Sequence, residues 1–180
     1  MQLSVRSKLY APNPTIWPRW PLLMTVLLIL FIGPIIAPLF LASELPLLTY
    51  TGGLAREVLA NYICPTPQHS YLLAGYPMAV CARCWGATIG LWGAWWLVSA
   101  RFFRVPMLHS ILSSFHAMAW ILRLLICILP FLLWSLEIIG TAHGWWQLPL
   151  WVLVLNDAQA GFAAGLFFYS LWPGLWLRTT

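Results

Sequence analysis

Four apolar stretches, at about residues 21–42, 80–100, 117–139 and 158–177, are each long enough to cross a bilayer, and nothing else in the sequence restricts the fold so strongly. A helix of about 20 residues rises about 30 Å, the thickness of the hydrocarbon layer. The expected fold is all-α: a polytopic membrane protein with about four transmembrane helices plus short interfacial or re-entrant helices, forming a single membrane domain over residues 1–180. Composition agrees. Only 7% of the chain is charged and 62% is hydrophobic, against about 25% charged residues in an average soluble domain. Thirteen tryptophans and six tyrosines suit the bilayer interfaces, where amphipathic rings gather.

The spans carry their own punctuation. Gly33, Pro34 and Pro38 interrupt the first and predict a kink near its far end; Pro130 breaks the third softly. Asn156 or Asp157 is placed to cap the fourth helix, with Gln159 three residues after Asn156 in capping-box spacing. The apolar piece from Trp145 to Leu155 is too short to cross, and is either a re-entrant or interfacial segment or an extension of the fourth helix. Met107, Leu108, Ile111, Leu112 and Phe115 share one helical face opposite Ser110, Ser113 and Ser114, a pattern for a helix lying on the membrane. No cleavable signal peptide is expected, because the first apolar run is too long for one and no small-residue cleavage site follows it.

Orientation follows from the basic residues. Arg6, Lys8, Arg19, Arg101, Arg104 and Arg178 fall on one side of a four-span arrangement, Arg56 and Arg83 on the other. By the positive-inside rule both termini are cytoplasmic, and the segment 43–79 is an extracytoplasmic loop. The net charge of +5 is scattered without forming a basic stripe, so the lipid bilayer and other membrane proteins are the expected partners and nucleic acid is not.

The outer loop holds the one cluster with ligand chemistry. Cys81 and Cys84 are spaced for a single tight turn, Cys64 lies 17 positions upstream and His69 falls between. Two thiolates on one turn plus ligands from a distant loop is what tetrahedral zinc takes, so Cys64, His69, Cys81 and Cys84 are the candidate metal set, with His143 as an alternative to His69. A disulfide is the competing use of the thiols outside the cell, and would leave one of the three unpaired. Covalent haem is excluded, because Trp85 follows Cys84 where a histidine is required. Glu137, His143, Gln147, Asn156 and Asp157 reach the same side as the cysteines, and Arg83, Glu137, His143 and Asn156 are candidates to surround the site. Glu137 is about 21 Å along the third span from Arg123, too far to pair with it, and is expected to bond a ligand histidine or Arg83.

Small residues mark the helix faces. Gly161 and Gly165 form a GxxxG step flanked by Ala160 and Ala164, and Gly86, Gly90 and Gly93 offer a similar face on the second span. Such faces pack a bundle internally or receive a partner helix. Cys127 reads as an apolar packing residue, and Arg123 as a cation near enough to its helix start to reach the interface. The tryptophans at 85, 92, 95 and 96 read as interface anchors, ahead of lining for a pigment or quinone cleft.

The run Gly33-Pro34 through Ala37-Pro38, the segment Cys64-Pro-Thr-Pro-Gln-His-Ser-Tyr71 with Gly75, and Cys81-Ala-Arg-Cys84 with Gly86 resemble a widespread prokaryotic membrane-protein family catalogued as domain of unknown function 2085. Its signature pairs Cys-His-Gln-x-Pro-x-Arg-Ser-Phe/Tyr with a Cys-x-Arg-Cys-x-Gly segment opening a helix. The likeness extends over about residues 33–170, through Glu137 and the stretch from Asn156 to Gly165. Pro65 stands where the family has histidine and His69 where it has arginine, so His69 would act as ligand from four residues further on. The resemblance brings no reaction with it.

Two functions fit these features. The first is a small, non-catalytic membrane subunit with a Cys/His-pinned outer loop, packing into a larger respiratory or photosynthetic membrane complex. The second is a quinone-linked thiol-disulfide oxidoreductase of the four-helix type, for which Cys81–Cys84 at a helix start is suitably placed and only Cys64 is available as a relay.

Overall fold

The computed structural model describes residues 19–64, 69–99, 110–111, 114–115 and 117–171. The stretch proposed to lie on the membrane surface falls mostly outside these residues, as do Arg6, Lys8, Arg101, Arg104 and Arg178. The described residues form five long helices and one small hairpin: α1 (Arg19–Ala42), α2 (Pro46–Tyr62), β1 (Leu72–Leu73), β2 (Tyr76–Pro77), α3 (Ala82–Ser99), α4 (Trp120–Ala142) and α5 (Leu150–Ser170).

α1 is the spine. It contains Pro34 and Pro38, both with fully buried side chains. Pro38 has no N–H, so the carbonyl of Pro34 loses its helical donor. The backbone N–H of Ala79 donates to that carbonyl instead, at 3.4 Å. An interruption in one helix thus becomes the docking point for the segment that leads into α3.

The segment expected to be an extended outer loop contains α2, which is a correction to the sequence reading. Glu44 in the left-handed region (φ 58°) reverses the chain, and Pro46 stands in the first turn of the new helix, where its missing N–H costs nothing. α2 runs back along α1: a Cβ on Gly52 would stand 2.8 Å from the Ala37 carbonyl oxygen, and Leu59 lies over Gly33. The polar and glycine-rich middle of α2, Thr49 to Gly53, lowers its apolarity and hides the helix in the sequence.

The hairpin is the departure from an all-helical chain among the described residues. Leu72 pairs with Pro77 and Leu73 with Tyr76, across a two-residue turn in which Ala74 and Gly75 both have positive φ, the conformation favoured by hairpin twist. Ser70 Oγ donates to the Val80 carbonyl at 3.0 Å, closing the base of the excursion.

α3 and α5 run parallel, side by side, in the closest helix contact of the described residues. Cβ atoms on Gly86 and Gly90 would collide with the backbone of Val154 and Ala158, one on Gly161 with Ala87, and one on Gly165 with Ala94. The two glycine faces therefore meet each other and let backbones touch, as small residues do between membrane helices. α4 lies antiparallel to α5 and gives Cys127, Glu137 and Gly140 to buried positions. Cys127 is packed and apolar in its surroundings.

Among the described residues, three helices are long and apolar enough to cross a membrane: Leu22–Ala42, Trp120–Ala142 and Leu150–Ser170. α3, the expected second span, is long enough at 18 residues but falls short by composition, because Arg83, four tryptophans and three glycines dilute its apolarity. The short apolar piece beginning at Trp145 resolves largely into the first turns of α5, which starts at Leu150. Asn156 and Asp157 consequently lie inside the helix. The expected caps are not caps: Pro149 precedes the helix with no side-chain cap bond, and Gln159 Nε2 donates to Asn156 Oδ1 at 2.6 Å within it.

Candidate metal centre and the polar network beside it

Cys64, Cys81 and Cys84 converge, with their sulfurs all within 4.8 Å of one another. The local structure explains how residues so far apart meet. Cys64 follows the end of α2, the hairpin carries the chain out and back, and the Ala79–Pro34 bond sets Cys81 against Cys64. The Cys81 backbone N–H donates to Cys64 Sγ at 3.0 Å, and the Cys81 and Cys84 sulfurs are 3.5 Å apart. Cys84 Sγ also lies 3.7 Å from the Ile63 carbonyl oxygen.

This junction is apolar. Cys64, Val80, Ala79 and Cys81 are buried with Ala37 of α1 and Leu59 of α2, and Trp85 packs over them. Cys81 is wholly buried and Cys84 partly exposed. The first turn of α3 begins beside the sulfurs.

The histidines stand differently. His69 is not among the side chains that gather within 4.8 Å; its Nδ1 is buried with no hydrogen-bond partner. His143 is exposed, its Nδ1 bonded to the Ile139 carbonyl at 2.9 Å and its ring against Trp145. It ends α4 and does not join the sulfurs.

Arg83, between the two cysteines of the turn, points away from them into the bundle. Its Nη2 donates to Glu137 Oε1 at 2.6 Å, forming an ion pair with both side chains largely buried. Thr141 Oγ1 donates to the same oxygen at 2.9 Å, and Asn156 Nδ2 approaches Glu137 Oε2 at 3.4 Å. Of the two partners proposed for Glu137 from the sequence, the structure selects Arg83. One turn away, Trp134 Nε1 donates to Asp157 Oδ1 at 2.7 Å.

Asp157 is among the polar residues the sequence brings to this side, whereas Trp134 and Thr141 join the network unannounced. A signal was available: Arg123, Cys127, Pro130, Trp134, Glu137 and Thr141 recur at alternating spacings of four and three, one stripe along α4. At the far end of that stripe Arg123 Nη1 donates to the Ser170 carbonyl at 3.4 Å, a cation at the carbonyl end of α5, where the helix dipole favours it.

The tryptophans of α3 lean on α1. Trp85 Nε1 donates to the Phe31 carbonyl at 3.3 Å and Trp92 Nε1 to that of Leu27 at 3.1 Å, while the Trp85 ring stacks on Phe31. Trp96 is the exposed member of the set.

No curated protein and no solved structure matches the chain. The family comparison does: it covers residues 64–167, which begins at the first sulfur and takes in the cysteine turn, the Arg83–Glu137 pair and nearly all of the parallel helices. The chain therefore belongs to the family described as predicted membrane protein, domain of unknown function 2085 (DUF2085).

Proposed function

We propose that this protein is a small, non-catalytic integral membrane subunit in which a zinc ion on Cys64, Cys81 and Cys84 clamps the outer segment to the helix bundle. The convergence of the three sulfurs within 4.8 Å carries this reading. Zn–S bonds of about 2.3 Å place tetrahedral ligand atoms about 3.8 Å apart, and the 3.5 Å between Cys81 and Cys84 suits that spacing. Bound zinc would contribute folding free energy directly, because a cysteine set scattered over 20 positions is not gathered in the unfolded chain. His69 is the proposed fourth ligand: it lies on the segment joining Cys64 to Cys81, and its Nδ1 is buried without a partner. Closing the fourth position leaves no place for a reactive water and makes the site structural.

In this reading α3 is the fourth crossing. It runs beside α5 in parallel, turn against turn, and 18 residues rise about 27 Å. Its polar composition is tolerable there because α1 and α5 shield it from lipid. Both termini are then cytoplasmic, and the cysteine junction faces outward. The outer surface of α4, where Leu125, Leu129, Leu132 and Leu136 are exposed, is where a helix of a larger respiratory or photosynthetic membrane complex would seat.

Elemental analysis and a thiol count on the purified chain test the clamp. One zinc per chain is expected, with the outer thiols shielded until a chelator is added. A metal-free protein with an oxidised Cys81–Cys84 pair that reduces quinone at the expense of a dithiol would overturn the proposal in favour of the oxidoreductase.

A further inference from the structure

Beneath the cysteine turn the bundle contains a charge that its own side chains do not balance. Asp157 is 4% exposed. Its Oδ1 accepts from Trp134 of α4, but its Oδ2 is buried with no hydrogen-bond partner. The charged and titratable groups within electrostatic reach are Arg83 of α3, Glu137 of α4 and the thiol of Cys81 ahead of α3. Arg83 is the one cation of that set; its Nη2 is held by Glu137 at 2.6 Å, while its Nε is buried with no hydrogen-bond partner. Glu137 is further served by Thr141 and Asn156. The cluster therefore counts two carboxyl groups against one guanidinium, and the carboxyl left over is the one with an empty oxygen.

An unpaired carboxylate deep in an apolar bundle is costly enough that the group takes up a compensating charge. Two kinds of charge are available, and the geometry distinguishes them. An alkali or alkaline-earth ion needs several oxygens around it, whereas among the described residues Asp157 Oδ2 is the free one here, and a guanidinium stands nearby to repel a metal cation. A proton needs one oxygen. We propose that Asp157 is a proton-binding site: at neutral pH the side chain is a carboxylic acid with Oδ1 held by Trp134, a proton carried within the membrane bundle. This site is distinct from the zinc clamp, although Cys81 lies within electrostatic reach of it, and its test reads the Asp157 carboxyl and not metal content.

The chain makes the test unusually clean, because Asp157 is its single aspartate. Carboxyl-labelled (¹³C) aspartate incorporated into the full chain reports this residue and no other. In purified protein reconstituted in lipid at neutral pH, the labelled carbonyl should absorb in the infrared as a protonated acid and shift in heavy water. The band should be indifferent to replacing sodium and potassium by an organic cation. Labelled bands of a carboxylate at neutral pH would overturn the proposal. So would an acid band that appears only when alkali ions are withdrawn, since that result identifies a metal cation as the occupant.

Discussion

The α3–α5 seam and the cysteine junction are built from adjacent stretches of chain by opposite means. Along the seam two continuous helices touch backbone to backbone over several turns, with glycine opposite Val154, Ala158, Ala87 and Ala94. Each contact there repeats the one a turn earlier, and it needs only that large side chains be absent. At the junction nothing repeats. Cys64 and Cys81 meet because a proline in α1 frees one carbonyl, a two-residue turn reverses a hairpin, and α2 folds back on α1. A repeating contact is robust and dispersed, whereas a junction of single contacts concentrates its stability in a few atoms. That is the situation in which a metal clamp adds most.

The Arg83–Glu137 pair ties the two regions together and should give the largest effect. Glu137→Ala leaves Arg83 buried without its partner, which costs about 3–5 kcal/mol, measured by unfolding in mixed micelles. Replacing both residues by apolar ones of similar volume should cost much less than the sum of the single changes. Additive losses would mean that the pair is not a coupled unit.

Cys64→Ser is the next largest and tests the junction alone. With free zinc at about one hundred times its dissociation constant, loss of the site removes about 2.7 kcal/mol. Wild type treated with a chelator should then melt where the variant melts. If the variant is as stable as wild type in zinc, the clamp does not exist.

Gly90→Ala tests the seam. A Cβ there meets the Ala158 carbonyl and the Phe162 backbone, and forcing the helices apart costs about 1–3 kcal/mol. The loss should be the same with and without chelator, because the seam owes nothing to metal; a chelator-dependent loss would erase the distinction between the two regions. Gly53→Ala is the smallest change and has the opposite sign. Nothing lies within 4 Å of a Cβ at that position in α2, so the substitution should stabilise by about 0.5–1 kcal/mol by removing helix-interior glycine.

The sequence by itself determined the membrane class, because long apolar runs can satisfy their backbones in lipid only from within. It also named the three sulfurs and the partners Arg83 and Glu137, since ligand chemistry and charge are rare enough in so apolar a chain to be counted one by one. The glycine steps were visible for the same reason, although not that they face each other. Tertiary structure decided what depends on neighbours. α2 escaped notice because its polar middle weakens the apolar signal, while its stability comes from lying on α1. Asn156 and Asp157 looked like a helix start because polar residues after an apolar stretch resemble a cap, yet the preceding apolar residues belong to the same helix. What makes Asp157 significant is its position, shut in by Trp134 and left without a second partner, and burial is a property of the surrounding helices that no single stretch of sequence encodes.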